Sequence, residues 1–336
     1  MVLIVMSAVI MSVVYFITKD SMAREAESRY EGIIMHANEK IRGVLSDVYL
    51  GAINNLDDIQ RDLNDPDKLQ AHLERMVKQN MYMSSCRLIF EPDYYPSRGH
   101  NYEIYAWRDS SGVVKGRQMN ENHSDYIINK WYKTAFDKEK GDWTPPYFDR
   151  AASQQLTTTY MTHIRDANGR KVGMLGADVS LEWLRLRHQR VDAENHERFE
   201  KGFKKQSYSF IISNDGTYIV HPDEKRVLHQ KIQDVAFLTH DIPAERYARK
   251  MMDGESGMGR SEKNGETYWI FYSFVKYTEW TVVIVVPGEI IYHNGNVLAN
   301  YIVIVFFVGL VLIYFLCHSI LVSDMRPLNR FVTAAN

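Results

Sequence analysis

Cysteine is nearly absent: the 336 residues include two, Cys86 and Cys317, too few and too far apart for a disulfide framework or a thiolate zinc site. Neither sign of charge is in excess. Forty Lys and Arg oppose 42 Asp and Glu, a net charge of −2, and no like-charged run is long enough to follow a phosphate backbone, which excludes nucleic acid as a partner. The sequence also lacks a glycine-rich nucleotide loop, a spaced metal-ligand cluster among its 12 histidines, and a nucleophile with a spaced base. The chain therefore reads as no enzyme, with no cofactor and no metal. With 45% hydrophobic and 24% charged residues it is neither disordered nor a many-span transporter, and its length suits about two domains.

Apolar residues gather at the two ends. Residues 1–18 carry no charge and stop at Lys19 and Asp20; at about 1.5 Å per residue this run nearly crosses a hydrocarbon core of about 30 Å. Without a basic leader or a small-x-small cleavage site it reads as a signal anchor, a cleaved signal peptide being the alternative. Residues 297–322 are longer and richer and read as a second transmembrane helix. The segment between them is polar, and the few charges after the second span, Asp324, Arg326 and Arg330, are too thin to orient the chain by themselves.

After the first span, apolar residues recur at three-and-four spacing from Ala26 through Tyr30, Ile33, Ala37, Ile41, Val44, Val48, Ala52, Leu56 and Ile59 to Leu63. They make one stripe along a helix of about 60 Å. Such a stripe needs cover, either from a second copy in a homodimer or from other parts of this chain. The spacing favours the homodimer near the bilayer. From Cys86 the period becomes that of short strands, rich in β-branched and aromatic residues, at 87–90, 102–107, 156–164, 172–179, 208–212, 217–220, 267–274 and 280–286. Asp109-Ser-Ser-Gly, Ala167-Asn-Gly, Asn214-Asp-Gly and Lys263-Asn-Gly supply turns. The charged stretch 185–205 between the two sets reads as a solvated helical face. The fold class is thus α+β: a long N-terminal helix, two antiparallel-sheet modules and two flanking spans.

Several motifs carry a resemblance. Trp131-Tyr132, Trp143-Thr-Pro-Pro-Tyr-Phe-Asp149 and Gly173-Met-Leu-Gly-Ala-Asp178-Val-Ser-Leu-Glu-Trp183 are similar to the membrane-distal module of the double Cache family, the tandem PAS-like extracytoplasmic sensor regions of bacterial transmembrane receptors. Ile212-Ser-Asn-Asp-Gly-Thr-Tyr-Ile-Val-His221-Pro resembles the opening hairpin of its membrane-proximal module, and Arg326-Pro327-Leu328 resembles the start of a HAMP linker. The resemblance covers about residues 20–295. It divides the chain into a first span (1–18), a long extracytoplasmic helix and connection (19–79), a distal Cache module (80–187), a helical connection (188–205), a proximal module (206–294), a second span (297–322) and a HAMP start (323–336). It implies a two-pass protein of the bacterial inner membrane whose region between the spans is extracytoplasmic. Its function would be the ligand-sensing input of a signal-transduction receptor. Output domains in such receptors include histidine kinases of two-component systems, serine/threonine phosphatases, chemotaxis domains and cyclases. An ectodomain that binds protein partners, without a small ligand, is the alternative.

In the amino-acid-sensing branch of that family, an Arg two positions before the Trp grips the ligand carboxylate and two Asp take the ammonium. Carried over, Trp131, Tyr132, Asp149 and Asp178 match, with Tyr147 beside them. Asn129 stands where the Arg is expected, and Tyr126 lies near Ser124, which replaces an expected Tyr. An amide cannot replace a bidentate guanidinium. The residues that remain, two acids among aromatic faces including Phe148, favour an amine or a neutral polar solute over an amino acid. The competing reading of each residue is structural: Trp131 and Tyr132 as core, Asp178 as a helix cap, Asp149 in an exposed turn.

Overall fold

Periodicity changes along the chain, and so does its structure, a computed structural model that describes residues 2–119, 130–149, 154–238, 242–263 and 265–334. The chain divides into two compact units, residues 33–285 and the paired ends 1–32 with 286–336.

In the larger unit, the three-and-four stripe lies on helix α1 (Val2–Arg61), and what covers it is this chain. Val44, Val48, Ala52, Ile59 and Leu63 join one hydrophobic core with Leu69, Leu73, Met76 and Val77 of α2 (Pro66–Gln79) and with strand residues of the first sheet. Ile41 is 2% exposed within the single chain. Over this stretch the cover comes from the chain itself, the second of the two sources that the spacing allows, and the stripe's apolar area is already removed from water. Further up, Asn38 donates to the Ser273 hydroxyl at 2.6 Å and the Phe274 carbonyl at 2.8 Å, which ties α1 to the second sheet as well. Helix α2 starts where Asp65 accepts from the Lys68 amide and Pro66 occupies the first turn, whose amides lack intrahelical partners in any case.

The first sheet contains β1 (Ser85–Phe90), β2 (Glu103–Arg108), β3 (Val114–Gln118), β4 (Asp142–Trp143), β5 (Tyr147–Phe148), β6 (Leu156–Arg165) and β7 (Lys171–Ser180). Among the described residues its order is β3-β2-β1-β7-β6-β4, with β5 also on β6, and every pairing is antiparallel. Helix α3 (Lys130–Asp137) lies on it. The turns at Gly112 and Gly169 have φ of +84° and +80°, a region that side chains with a Cβ rarely enter. Strands β3, β4 and β5 are too short or too polar to show in the sequence pattern. Helix α4 (Glu182–Phe199) leads to the second sheet: β8 (Tyr208–Ile212), β9 (Tyr218–Val220), β10 (Gly257–Lys263), β11 (Glu266–Val275) and β12 (Trp280–Pro287), ordered β10-β11-β12-β8-β9, with α5 (Ile232–Leu238) and α6 (Ile242–Met252).

The charged stretch 185–205 is largely helical and much of its charge is solvated, as expected, with Arg190, Glu194, Glu197 and Lys201 exposed, but two acids turn inward. Asp192 accepts from the Ser209 hydroxyl at 2.8 Å, and the Glu200 carboxylate, fully buried, takes the Ser207 amide at 2.7 Å. Burial raises the Asp192 pKa, with the Ser209 hydrogen bonds opposing. These acids fasten α4 to β8.

In the smaller unit, α7 (Gly288–Ala334) contains a long apolar stretch within Gly288–Ser319. Among the described residues it is the one helix long and apolar enough to cross a membrane by itself. The N-terminal run is helical, and Val9, Ile10, Val13, Phe16 and Ile17 are more than half exposed, but it falls short of that measure. One candidate span is seen where two were expected.

Candidate ligand-binding site

Side chains alternate across a strand, so register decides which residues meet. Arg87 pairs with Tyr105 on one side and Gly176 on the other; Ser85 pairs with Trp107 and Asp178; Ile89 pairs with Glu103 and Met174. Thr159, Met161 and His163 continue the same rows on β6. The opposite face, with Cys86, Leu88, Phe90, Ile104, Ala106, Leu175, Ala177 and Val179, packs into the core against α1 and α2. One face of the sheet is thus apolar, and the other carries a row of charge partly roofed by α3.

At the centre is Asp178, with no solvent exposure. One oxygen accepts from the Ser85 hydroxyl at 2.6 Å and from Arg87 Nη2 at 3.0 Å; the other accepts from the Thr159 hydroxyl at 2.6 Å. The Tyr147 hydroxyl lies 2.9 Å from that same Thr159 oxygen. Arg87 Nη1 is 3.8 Å from Glu103, itself 5% exposed, and the guanidinium sits 5.1 Å from the centre of the Tyr105 ring. Asp149, 4% exposed, adds a third acid whose charge reaches Glu103, Tyr105 and Tyr147. Gly176 makes room for the arginine: a Cβ there would stand 3.0 Å from Arg87 Cγ and 2.9 Å from the Met161 sulfur.

The electrostatics follow from this crowding. Burial works against the charge on Arg87, but Asp178, with Tyr147 and Glu103, carries its pKa well above the ordinary value. Burial raises Glu103, Arg87 pulls it back, and Asp178 and Asp149 add to the rise. Tyr147 is pushed up to about 12, by burial first and Asp178 second. Asp178 and Glu103 therefore share one guanidinium in a place where unpaired charge is costly.

A cavity of about 250 Å³ opens here, lined by Arg87, Thr144, Pro145, Pro146, Tyr147, Thr159 and Met161. Its rim is fixed: the Thr144 hydroxyl accepts from the Thr159 amide at 3.0 Å, and its carbonyl accepts from the Thr158 hydroxyl at 2.8 Å. A neighbouring cavity of about 420 Å³ shares Thr144, Pro145 and Met161 and extends under α3.

Of the residues expected at a site, Asp178, Asp149 and Tyr147 come together. Asp178 is no helix cap, since it lies inside β7 and α4 begins after Leu181 without a side-chain cap; Asp149 is not in an exposed turn. Tyr132 belongs to a hydrophobic cluster with Ile89, Met161 and Met174 and stacks on Phe136 at 5.6 Å, so its place is core. Phe148 faces elsewhere, half exposed, in a second cavity with Leu181, His221 and Leu228. Trp131 lies on α3; Tyr126 and Asn129 lie outside the described residues. Arg87 and Glu103 were missed. Their signal was a charge at alternate positions of strands whose other positions are apolar: Ser85-Cys-Arg-Leu-Ile-Phe and Glu103-Ile-Tyr-Ala-Trp. The inference from Asn129 that the site lacks a fixed arginine is corrected, because β1 supplies one.

Comparison with known proteins places these features. The chain is 25% identical over 239 residues to the methyl-accepting chemotaxis protein PctB of Pseudomonas aeruginosa, covering 70% of this chain and 34% of that protein's length. It thus spans about a third of that relative. Among solved structures, the extracellular domain of mmHK1S-Z2, assigned to a histidine kinase, superposes with a TM-score of 0.61 at 20% identity, covering 79% of this chain and 98% of that one. The ligand-binding domain of Mlp24, solved with asparagine, gives 0.54 at 18% identity, covering 82% and 99%. At these identities the structural likeness speaks for the fold. The sequence profile of the Cache domain family dCache_1 matches residues 18–294, and the chain belongs to that family.

Proposed function

We propose that this chain is the sensory input of a two-pass bacterial receptor, and that its distal sheet, residues 85–180, binds a small organic cation from outside the inner membrane. The residues 297–322 would form one span, 1–18 the other, and 323–336 the start of a HAMP linker to a cytoplasmic output. Strand β12 runs into α7 without an intervening loop, which gives the proximal module a short route to the membrane. A ligand that favours one arrangement of the distal module would shift the receptor's equilibrium by its difference in affinity for the two.

The observation that carries the ligand class is the acidity beside the cavity: Asp178 and Glu103 both lie on Arg87, and Asp149 is a third buried carboxylate close enough to act on Glu103 and on Tyr147 of the cavity wall. An ammonium group suits such a wall and gains charge-assisted hydrogen bonds. A zwitterion brings no net charge to an acidic site. The relatives solved with amino acids share the fold.

Isothermal titration of the whole chain in lipid nanodiscs tests this. Primary amines should bind, and Asp149→Asn should weaken them by roughly 10- to 100-fold, the worth of a hydrogen bond to a charged group. Absence of binding by amines, neutral polar solutes and amino acids alike would leave the protein-binding ectodomain as the better reading.

A further inference from the structure

The guanidinium of Arg87 has an acid at each of its terminal nitrogens. Nη2 meets Asp178 at 3.0 Å and Nη1 meets Glu103 at 3.8 Å, while Tyr105 covers its face at 5.1 Å. Its Nε is buried without a hydrogen-bond partner among the described residues. Asp178 is saturated by Ser85, Thr159 and Arg87 and is fixed in place. Glu103 is different. Among the described residues its carboxylate makes the one ion pair to Arg87 and no hydrogen bond, although the residue is 5% exposed. The backbone holds it there: Glu103 opens β2 opposite Ile89, and its carbonyl takes the Met119 amide.

A carboxylate that reaches an arginine and is otherwise unbonded occupies the position that an incoming carboxylate would need. We infer that Glu103 is a specificity residue acting through Arg87: it holds the second side of the guanidinium, so that the cavity accepts an organic amine and rejects the α-carboxylated form of the same skeleton. A ligand carboxylate would find one terminal nitrogen bonded to Asp178, the other facing Glu103 at 3.8 Å, and two like charges beside it. This inference rests on the distal cavity being the ligand site.

Matched pairs that differ by one carboxylate test it: isobutylamine with L-valine, tyramine with L-tyrosine, agmatine with L-arginine. Each is titrated into the whole chain in nanodiscs. In the wild type the amine should bind at least about tenfold tighter than its amino acid, and Glu103→Gln should shift that ratio by about tenfold or more toward the amino acid, since the amide leaves Arg87 a free side. Glu103→Asp keeps the charge and should keep the wild-type order. Melting of each variant is followed alongside, and Glu103→Asp serves if the glutamine variant does not fold. Tighter binding of amino acids by the wild type, an unchanged ratio in folded Glu103→Gln, or a reversed order in folded Glu103→Asp overturns the inference while leaving the ligand site standing. Failure of every compound to bind, or binding indifferent to Asp149→Asn, overturns the ligand site and the inference together.

Discussion

Arg87 and Asp178, 91 positions apart, meet at 3.0 Å on neighbouring strands, and Asp178 has no contact with solvent. A buried pair of this kind is costly to break from one side, because the survivor keeps its charge without a partner.

Asp178→Asn should therefore destabilise the larger unit by about 3–5 kcal/mol. Replacing both, Arg87→Met with Asp178→Leu, should cost less than either single change. Denaturant unfolding of the detergent-solubilised chain, followed by tryptophan fluorescence, measures both. Additive losses in the double variant would contradict the pairing.

Gly176 lies under the stem of Arg87, and a Cβ there would also crowd Thr159 Cγ2 at 3.2 Å. Gly176→Ala should cost about 1–3 kcal/mol by overpacking and weaken any ligand of the neighbouring cavity, since the arginine must shift. A melting curve and a titration on the same sample check it. Unchanged stability would mean that the strand moves freely.

His221 sits among the rings of Tyr218, Phe210 and Tyr208 at 4.9, 5.8 and 6.1 Å. Burial, with Arg226 adding, lowers its pKa from 6.5 to about 4. A depressed folded-state pKa means stability that is present above 6.5 and lost as the pH falls through 4. His221→Phe should flatten that acid limb. Thermal melting of both proteins across the window reads it, and parallel curves would remove His221 as the cause.

The α1 stripe makes a sharper statement about assembly. Met35 is 64% exposed and Ile41 is 2% exposed. In a Cys317→Ser background, Met35→Cys should react quickly with a soluble maleimide and Ile41→Cys slowly. Disulfide crosslinking between copies at Ile41 would show that the stripe opens to a partner.

What the sequence by itself determined was local. Period and composition marked α1, the longer strands, the turns at Gly112, Gly169 and Gly216, and the apolar helix at 297–322, because each depends on residues near one another in the chain. The motifs around Asp149 and Asp178 were legible through the resemblance to the double Cache family. Tertiary structure decided the rest. Whether the α1 stripe faces a copy or its own sheet depends on where β1 and α2 fold back, which no spacing within α1 records. Arg87 and Glu103 belong to a site through strand register, and a shift of one residue would have turned both onto the apolar face against α1. Tyr132, in a motif that suggested a ligand contact, went into a cluster with Ile89, Met161 and Met174, because the packing of α3 over the sheet brings its ring onto those side chains. The charge balance of the site is a sum over three strands and a loop, so it exists only once they are side by side.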